Sequence, residues 1–259
     1  MPNAVTAFAM CFGLTGIRFA IADDWERAVL MILIAGVLDG IDGRIARLVR
    51  GETRFGAELD SLSDAISFGV SPAIILYLWA LIDVPKLGWI IALVYAVFCA
   101  LRLARFNARI DVTDQPHKSA GLLTGVPAPA GAAAAMLPLY LWIFTGLPIF
   151  RSPWLVTVWV AFAAFLMVSS IATYSWSSLK LRRHIRFEAI VVVVIAGAAL
   201  VTAPWQTLTV LTVAYLATIP FSVRSYRRIR RQRASAGVSP HAQTGEPPRG
   251  PGDGAEAGE

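Results

Sequence analysis

Apolar residues run along this chain in long, nearly unbroken stretches separated by short polar connections. Continuous runs near the roughly 20 residues that a helix needs to cross a hydrocarbon core read as membrane-spanning helices. The stretches fall at 5–22, 25–48, 60–82, 87–108, 121–148, 153–178, 184–203 and 206–223, which predicts an all-α polytopic membrane protein with about eight transmembrane helices. A transmembrane barrel would need segments of alternating polarity, and these runs are continuously apolar. Pro127, Pro129 and Pro138 fall inside the fifth stretch and should kink or open it. Neighbouring helices can satisfy the carbonyls that such a break frees. Beyond residue 223 the apolar pattern stops, giving way to a basic run and then to a segment rich in Gly, Pro and Ala with no apolar face. The expected organisation is an integral membrane catalytic domain over 1–223 and a basic, then disordered, cytoplasmic tail over 224–259.

Composition agrees with lipid as part of the solvent. Of 259 residues, 56% are hydrophobic and only 15% are charged, and the mean hydropathy is +0.62, which excludes an ordinary soluble domain. The cations are unevenly placed. Arg44, Arg47, Arg50 and Arg54 follow the second stretch, Arg102, Arg105, Arg109 and Lys118 end the fourth, and Lys180, Arg182, Arg183 and Arg186 follow the sixth. Six arginines from Arg224 to Arg233 follow the last, whereas the opposite connections hold only Arg27, Lys86 and Arg151. By the positive-inside rule, this is a multi-pass cell-membrane protein with both termini on the cytoplasmic side. The net charge of +6 therefore belongs beside anionic headgroups, and no nucleic-acid partner is expected. Cys11 and Cys99 both lie within apolar stretches, so no disulfide framework is expected. The first stretch lacks a basic leading segment and is read as a retained helix.

Four acids interrupt this apolar pattern at depths where an unpaired charge is costly. Asp39 and Asp42 lie three apart at the end of the second stretch, and Asp60 and Asp64 lie four apart at the start of the third. Each pair shares a helical face. The short connection RLVRGETRF makes the two helices antiparallel neighbours and can bring both pairs to one depth. Four converging carboxylates call for a divalent cation, and an all-oxygen set suits magnesium or manganese better than zinc. Gly40, Gly43 and Gly56 leave room for a ligand near the backbone, and Arg47 extends the acidic face toward the cytoplasm, where a guanidinium suits a diphosphate. Arg102 and Arg105, in RLARFN, fit either a substrate pocket or an interface anchor. His117 and His184 have no neighbouring ligand pattern.

Residues 39–64, DGIDGRIARLVRGETRFGAELDSLSD, match without a gap the nine fixed positions of the signature D-x-x-D-G-x-x-A-R, eight residues, G-x-x-x-D-x-x-x-D. On this motif the chain resembles the CDP-alcohol phosphotransferase family. Three further stretches, FGAELDSLSDAISFGVSPA, RLARFNAR and GLLTGVPAPAGAAAA, are similar to its bacterial-type phosphatidylserine synthase subgroup. The last departs from the subgroup pattern, with Val126 in a usual Leu position and Gly131 where alanine is commoner. The resemblance extends over residues 2–223, including PNAVT near the start.

The resemblance implies the CDP-alcohol phosphotransferase fold and transfer of the phosphatidyl group of CDP-diacylglycerol to the hydroxyl of L-serine, releasing CMP. It further implies that Asp39, Asp42, Asp60 and Asp64 bind two Mg2+ or Mn2+ ions, with Asp64 also the catalytic base. Gly43, Ala46, Arg47 and Gly56 would line the cytidine diphosphate site. Arg102 or Arg105 is then expected at serine or a lipid phosphate, and a homodimer among membrane lipids is expected. The same chemistry with glycerol 3-phosphate or inositol phosphate is the nearest alternative. An ion-coupled transporter using the acids as a relay is the alternative of another class.

Overall fold

The computed structural model describes residues 2–49, 53–108, 122–124, 126–169, 172–174 and 185–235. By its internal contacts the chain divides into Met1–Val223 and Arg224–Glu259.

Helix α1, Pro2–Ile21, starts on a proline, whose missing N–H costs nothing in a first turn. It buries a stripe of small residues, Thr6, Ala9, Gly13, Gly16 and Ala20. Their spacing of three or four residues makes one face, and their size lets neighbouring backbones approach closely. A Cβ on Gly16 would lie 3.1 Å from the Ala28 carbonyl of α2, Trp25–Val49. Asp23, at φ +58°, turns the chain between the two helices. Asp24 then accepts from the Arg27 amide at 3.1 Å and pairs with the Arg27 side chain at 3.1 Å.

The third apolar stretch is one continuous helical rod with a change of winding inside it. It comprises α3, Arg54–Asp64, a π-helical segment, Ala65–Val70, and α4, Ser71–Trp79. Thr53 caps α3 by accepting from the Gly56 amide at 3.1 Å. Helix α5, Leu87–Asn107, then packs against the π segment, α4 and α8, Pro153–Val168. Trp79, Tyr95, Ile75, Leu76 and Met167 are fully buried where these elements meet.

The fifth and sixth stretches differ from the expected continuous spans. Residues Leu122–Thr124 form a short strand, β1, which pairs antiparallel with β2, Ala172–Tyr174, with Leu123 opposite Thr173. The helix begins only at α6, Ala128–Ala135, and a second helix, α7, Leu137–Thr145, is bent from it by 43°. Pro138 sits in the first turn of α7, so the ladder breaks at Met136, as the prolines required. Gly146, at φ +68°, ends α7 in the left-handed conformation that glycine adopts without strain. Gly131, where the subgroup more often has alanine, sits over Met167: a Cβ there would fall 2.5 Å from the thioether sulfur.

Helices α9, Ile185–Thr202, and α10, Pro204–Ser235, follow. Among the described residues, Asn3–Ile21, Phe55–Trp79 and Leu87–Asn107 are long and apolar enough to cross a membrane, and the bent α6–α7 pair makes a fourth candidate. Helix α8 is apolar but shorter. Large hydrophobic side chains such as Val158, Phe165, Ile195 and Val201 are exposed, as on a lipid-facing surface. Helices thus occupy each predicted stretch of this membrane protein, and the count of eight crossings stands as an expectation.

Candidate functional site

Asp39 and Asp42 project from the last turns of α2, and Asp60 and Asp64 from the last turns of α3. One carboxylate oxygen each from Asp39, Asp42 and Asp60 lies within 4.8 Å of the others. Asp64 completes the group, with its carboxyl within hydrogen-bonding reach of Asp39 and close to Asp60. Both sequence-predicted pairs therefore meet.

Helix α1 holds the two acid-bearing helices together. The Thr6 hydroxyl donates to Asp42 Oδ2 at 2.7 Å, while the Thr6 carbonyl accepts from Ser63 Oγ, beside Asp64, at 3.1 Å. One buried residue thus bridges α2 and α3. Asp42 Oδ1 is buried without a hydrogen-bond partner among the described residues. An orphaned carboxylate oxygen is expensive in the interior, and three or four carboxylates at this separation repel one another strongly. A divalent cation answers both costs, and the purely oxygen donor set fits a hard one. Replacing Thr6 with valine keeps the shape but frees Asp42 to rotate. The half-saturating metal concentration for activity should rise by about 10-fold or more, with threonine-to-serine close to wild type. Titrating the metal against initial rate checks this.

The remaining predicted residues separate. Gly40 and Gly43 lie in open space, with nothing within 4 Å of where a Cβ would stand. Gly56 is tighter: a Cβ would meet Asn3 Oδ1 at 3.0 Å and Thr53 Oγ1 at 3.2 Å, so a larger residue at the cap of α3 would have to displace these side chains by a few tenths of an ångström. Ala46 and Arg47 belong to α2, but their side chains, like His117 and His184, lie outside the described residues. Arg102 is half-buried on α5, its guanidinium 5.7 Å from the centre of the Phe106 ring and within electrostatic reach of Asp64. Arg105 is exposed and donates from Nη1 to the Val168 carbonyl at 3.4 Å, at the end of α8. The structure therefore brings Arg102, and not Arg105, to the acids. Asn107 Nδ2 donates to Ser61 Oγ at 2.7 Å, joining the end of α5 to the acidic turn of α3.

Sequence reasoning did not single out Thr6, Ser61, Ser63 or Asn107. The stretch PNAVT was visible, but only the packing shows that its threonine reaches Asp42.

The family model described as CDP-alcohol phosphatidyltransferase matches residues 1–168, and one described as CDP-alcohol phosphatidyltransferase 2 matches residues 184–220. The chain is 40% identical over 227 residues to a CDP-diacylglycerol–serine O-phosphatidyltransferase of Mycobacterium bovis, covering 88% of this chain and 79% of that protein. It is 38% identical to the protein of that name from Mycobacterium leprae, covering 88% of this chain and 75% of that protein. The like-named protein of Bacillus subtilis is 33% identical over 172 residues, 66% of this chain and 88% of its own length.

Proposed function

This chain belongs to the CDP-alcohol phosphatidyltransferase family, and we propose that it transfers the phosphatidyl group of CDP-diacylglycerol to L-serine, giving phosphatidylserine and CMP. The observation that carries the reading is the meeting of Asp39, Asp42 and Asp60, with Asp64 alongside, in a chain 40% identical over most of its length to enzymes of that name.

In this reading the four aspartates hold two magnesium or manganese ions. When bound, such ions would neutralise the diphosphate and stabilise the charge developing on departing CMP. The open space at Gly40 and Gly43 leaves room for the cytidine diphosphate against the α2 backbone, and the family resemblance would add Ala46, Arg47 and Gly56 to that site, Arg47 for its positive charge. Arg102, beside Asp64, is the candidate partner of the serine carboxylate. Asp64 accepts the proton of the serine hydroxyl as that oxygen bonds to the lipid-side phosphorus. The bond from that phosphorus to the oxygen of CMP breaks in the same displacement. A very weakly acidic hydroxyl need not ionise first, because the base can take its proton as the new bond forms. The acids share the end of α2 that carries Arg44 and Arg47, which supports a cytoplasmic active site.

Purified protein in detergent or lipid, supplied with CDP-diacylglycerol and Mn2+ or Mg2+, is expected to release CMP only when serine is added. Glycerol 3-phosphate and inositol phosphate are the comparisons. Release with either in place of serine would remove the serine assignment and keep the displacement chemistry.

A further inference from the structure

The π-helical segment Ala65–Val70 begins immediately after Asp64 and buries Ser67, Phe68 and Gly69. A π turn leaves the regular i to i−4 ladder, is rare, and is often found at functional sites. Such a turn keeps its shape only if neighbouring groups hold it.

Here α5 supplies the hold through one face. Tyr95, Cys99 and Arg102 are spaced four and three apart, so they stand in a row. The Tyr95 hydroxyl, in a fully buried side chain, donates to the Phe68 carbonyl at 2.9 Å. One turn on, a Cβ at Gly69 would lie 3.1 Å from the Cys99 Cβ, so the π turn approaches α5 about as closely as glycine permits. After one more turn, Arg102 stands near Asp64, and at the end of the helix Asn107 binds Ser61 at 2.7 Å. Tyr95–Phe68 and Cys99–Gly69 at the π turn, then Arg102–Asp64 and Asn107–Ser61 beyond it, set the register of α5 against the rod of α3 and the π segment. On the other side of the turn, Ser67 Oγ donates to the Ala9 carbonyl at 3.4 Å, and a Cβ on Gly13 would lie 2.7 Å from Ser67 Oγ.

Within this register the Tyr95 hydroxyl is the side-chain donor that binds the π backbone from α5. A phenylalanine would fill the same space, so packing alone does not account for the hydroxyl.

We infer that Tyr95 is a positioning residue for the transfer: its hydroxyl clamps the π turn through the Phe68 carbonyl and so keeps Asp64 in register with Arg102. The inference rests on the function proposed above. It assigns Tyr95 no contact with either substrate. Its action is through the backbone that presents Asp64.

The test is Tyr95→Phe in the full-length protein, compared with Trp79→Phe. Trp79 is also fully buried in this core, but it sits at the far end of α4 from the acids. Steady-state CMP release is measured per folded enzyme, together with amide hydrogen exchange over residues 64–72. Tyr95→Phe should lower kcat by about 10-fold or more and raise the serine KM, with the KM for CDP-diacylglycerol unchanged. Exchange in the π turn should quicken at least several-fold. Trp79→Phe should lower the melting temperature and leave kcat, both KM values and π-turn exchange at wild-type levels. Wild-type kcat and exchange in Tyr95→Phe would overturn the inference, as would an equal loss in both variants. The exchange readout does not depend on the acceptor. A wild-type protein that used another alcohol would therefore sink the serine assignment, while Tyr95 would be judged by exchange and by kcat with that alcohol.

Discussion

Asp64→Asn is expected to lower serine-dependent CMP release by about 10²- to 10⁴-fold in a protein that remains folded. Asparagine keeps the size of the side chain and its place at the end of α3, but it cannot take the hydroxyl proton. It also removes the acidic group that faces Arg102 and lies within hydrogen-bonding reach of Asp39. The base role and the ligand role separate in a metal titration. If Asp64 were only a ligand, a large excess of Mn2+ would recover much of the rate. As the base, it leaves a variant whose saturated kcat stays low. The check is kcat at saturating serine, CDP-diacylglycerol and metal, with folding followed by size-exclusion chromatography and thermal melting. A saturated kcat within about 10-fold of wild type would move the base elsewhere.

The sequence made the acids legible for a physical reason: charge is rare inside apolar helices, so two same-face pairs stand out against their surroundings. The short connection predicts that α2 and α3 are packed neighbours; their acids do meet, but the two helices are joined through α1 rather than packed along each other. What hydropathy could not supply was the identity of the polar groups that support them. Thr6 and Ser63 are unremarkable in helices, where Ser and Thr hydroxyls commonly bond within their own turn, as Thr157 does to Pro153 at 2.7 Å, and Tyr95 reads as one more aromatic residue of an apolar helix. Only the crossing of helices reveals that Thr6 serves Asp42 and that Tyr95 serves a carbonyl on another helix.

The same averaging hid breaks in winding and extent. A π segment inside Phe55–Trp79 leaves the apolar run uninterrupted, so no composition signal marks it. Prolines did mark the break between α6 and α7, because a missing N–H is a local chemical fact. The strand pair at 122–124 and 172–174 could not be read from either segment alone, since each is apolar enough to extend its neighbouring helix. Arg102 and Arg105 were indistinguishable in sequence, being three apart on one helix. Their partners separate them, one facing Asp64 and the other binding the end of α8.

Metal should invert the stability order of wild type and Asp60→Asn. With the metal chelated, the oxygens of Asp39, Asp42 and Asp60, within 4.8 Å of one another, repel across a partly buried site. Asparagine at position 60 relieves that repulsion, so in EDTA the variant should melt above wild type, and neither should release CMP. With Mn2+ or Mg2+, the wild type gains stability by mass action, about 2.7 kcal/mol at a concentration 100 times the dissociation constant. Asp60→Asn has lost a ligand and should gain much less, so its melting temperature should now fall below that of wild type. Restored CMP release in the wild type should follow the same metal titration as its stabilisation. Two melting curves for each protein, one in chelator and one in metal, decide the matter. An order that is the same in both buffers would mean that these carboxylates are compensated without a cation. A crossing ties the cost of gathering them to the ion that makes the gathering useful, and that cost explains why the Thr6 bridge between the two acid helices is needed at all.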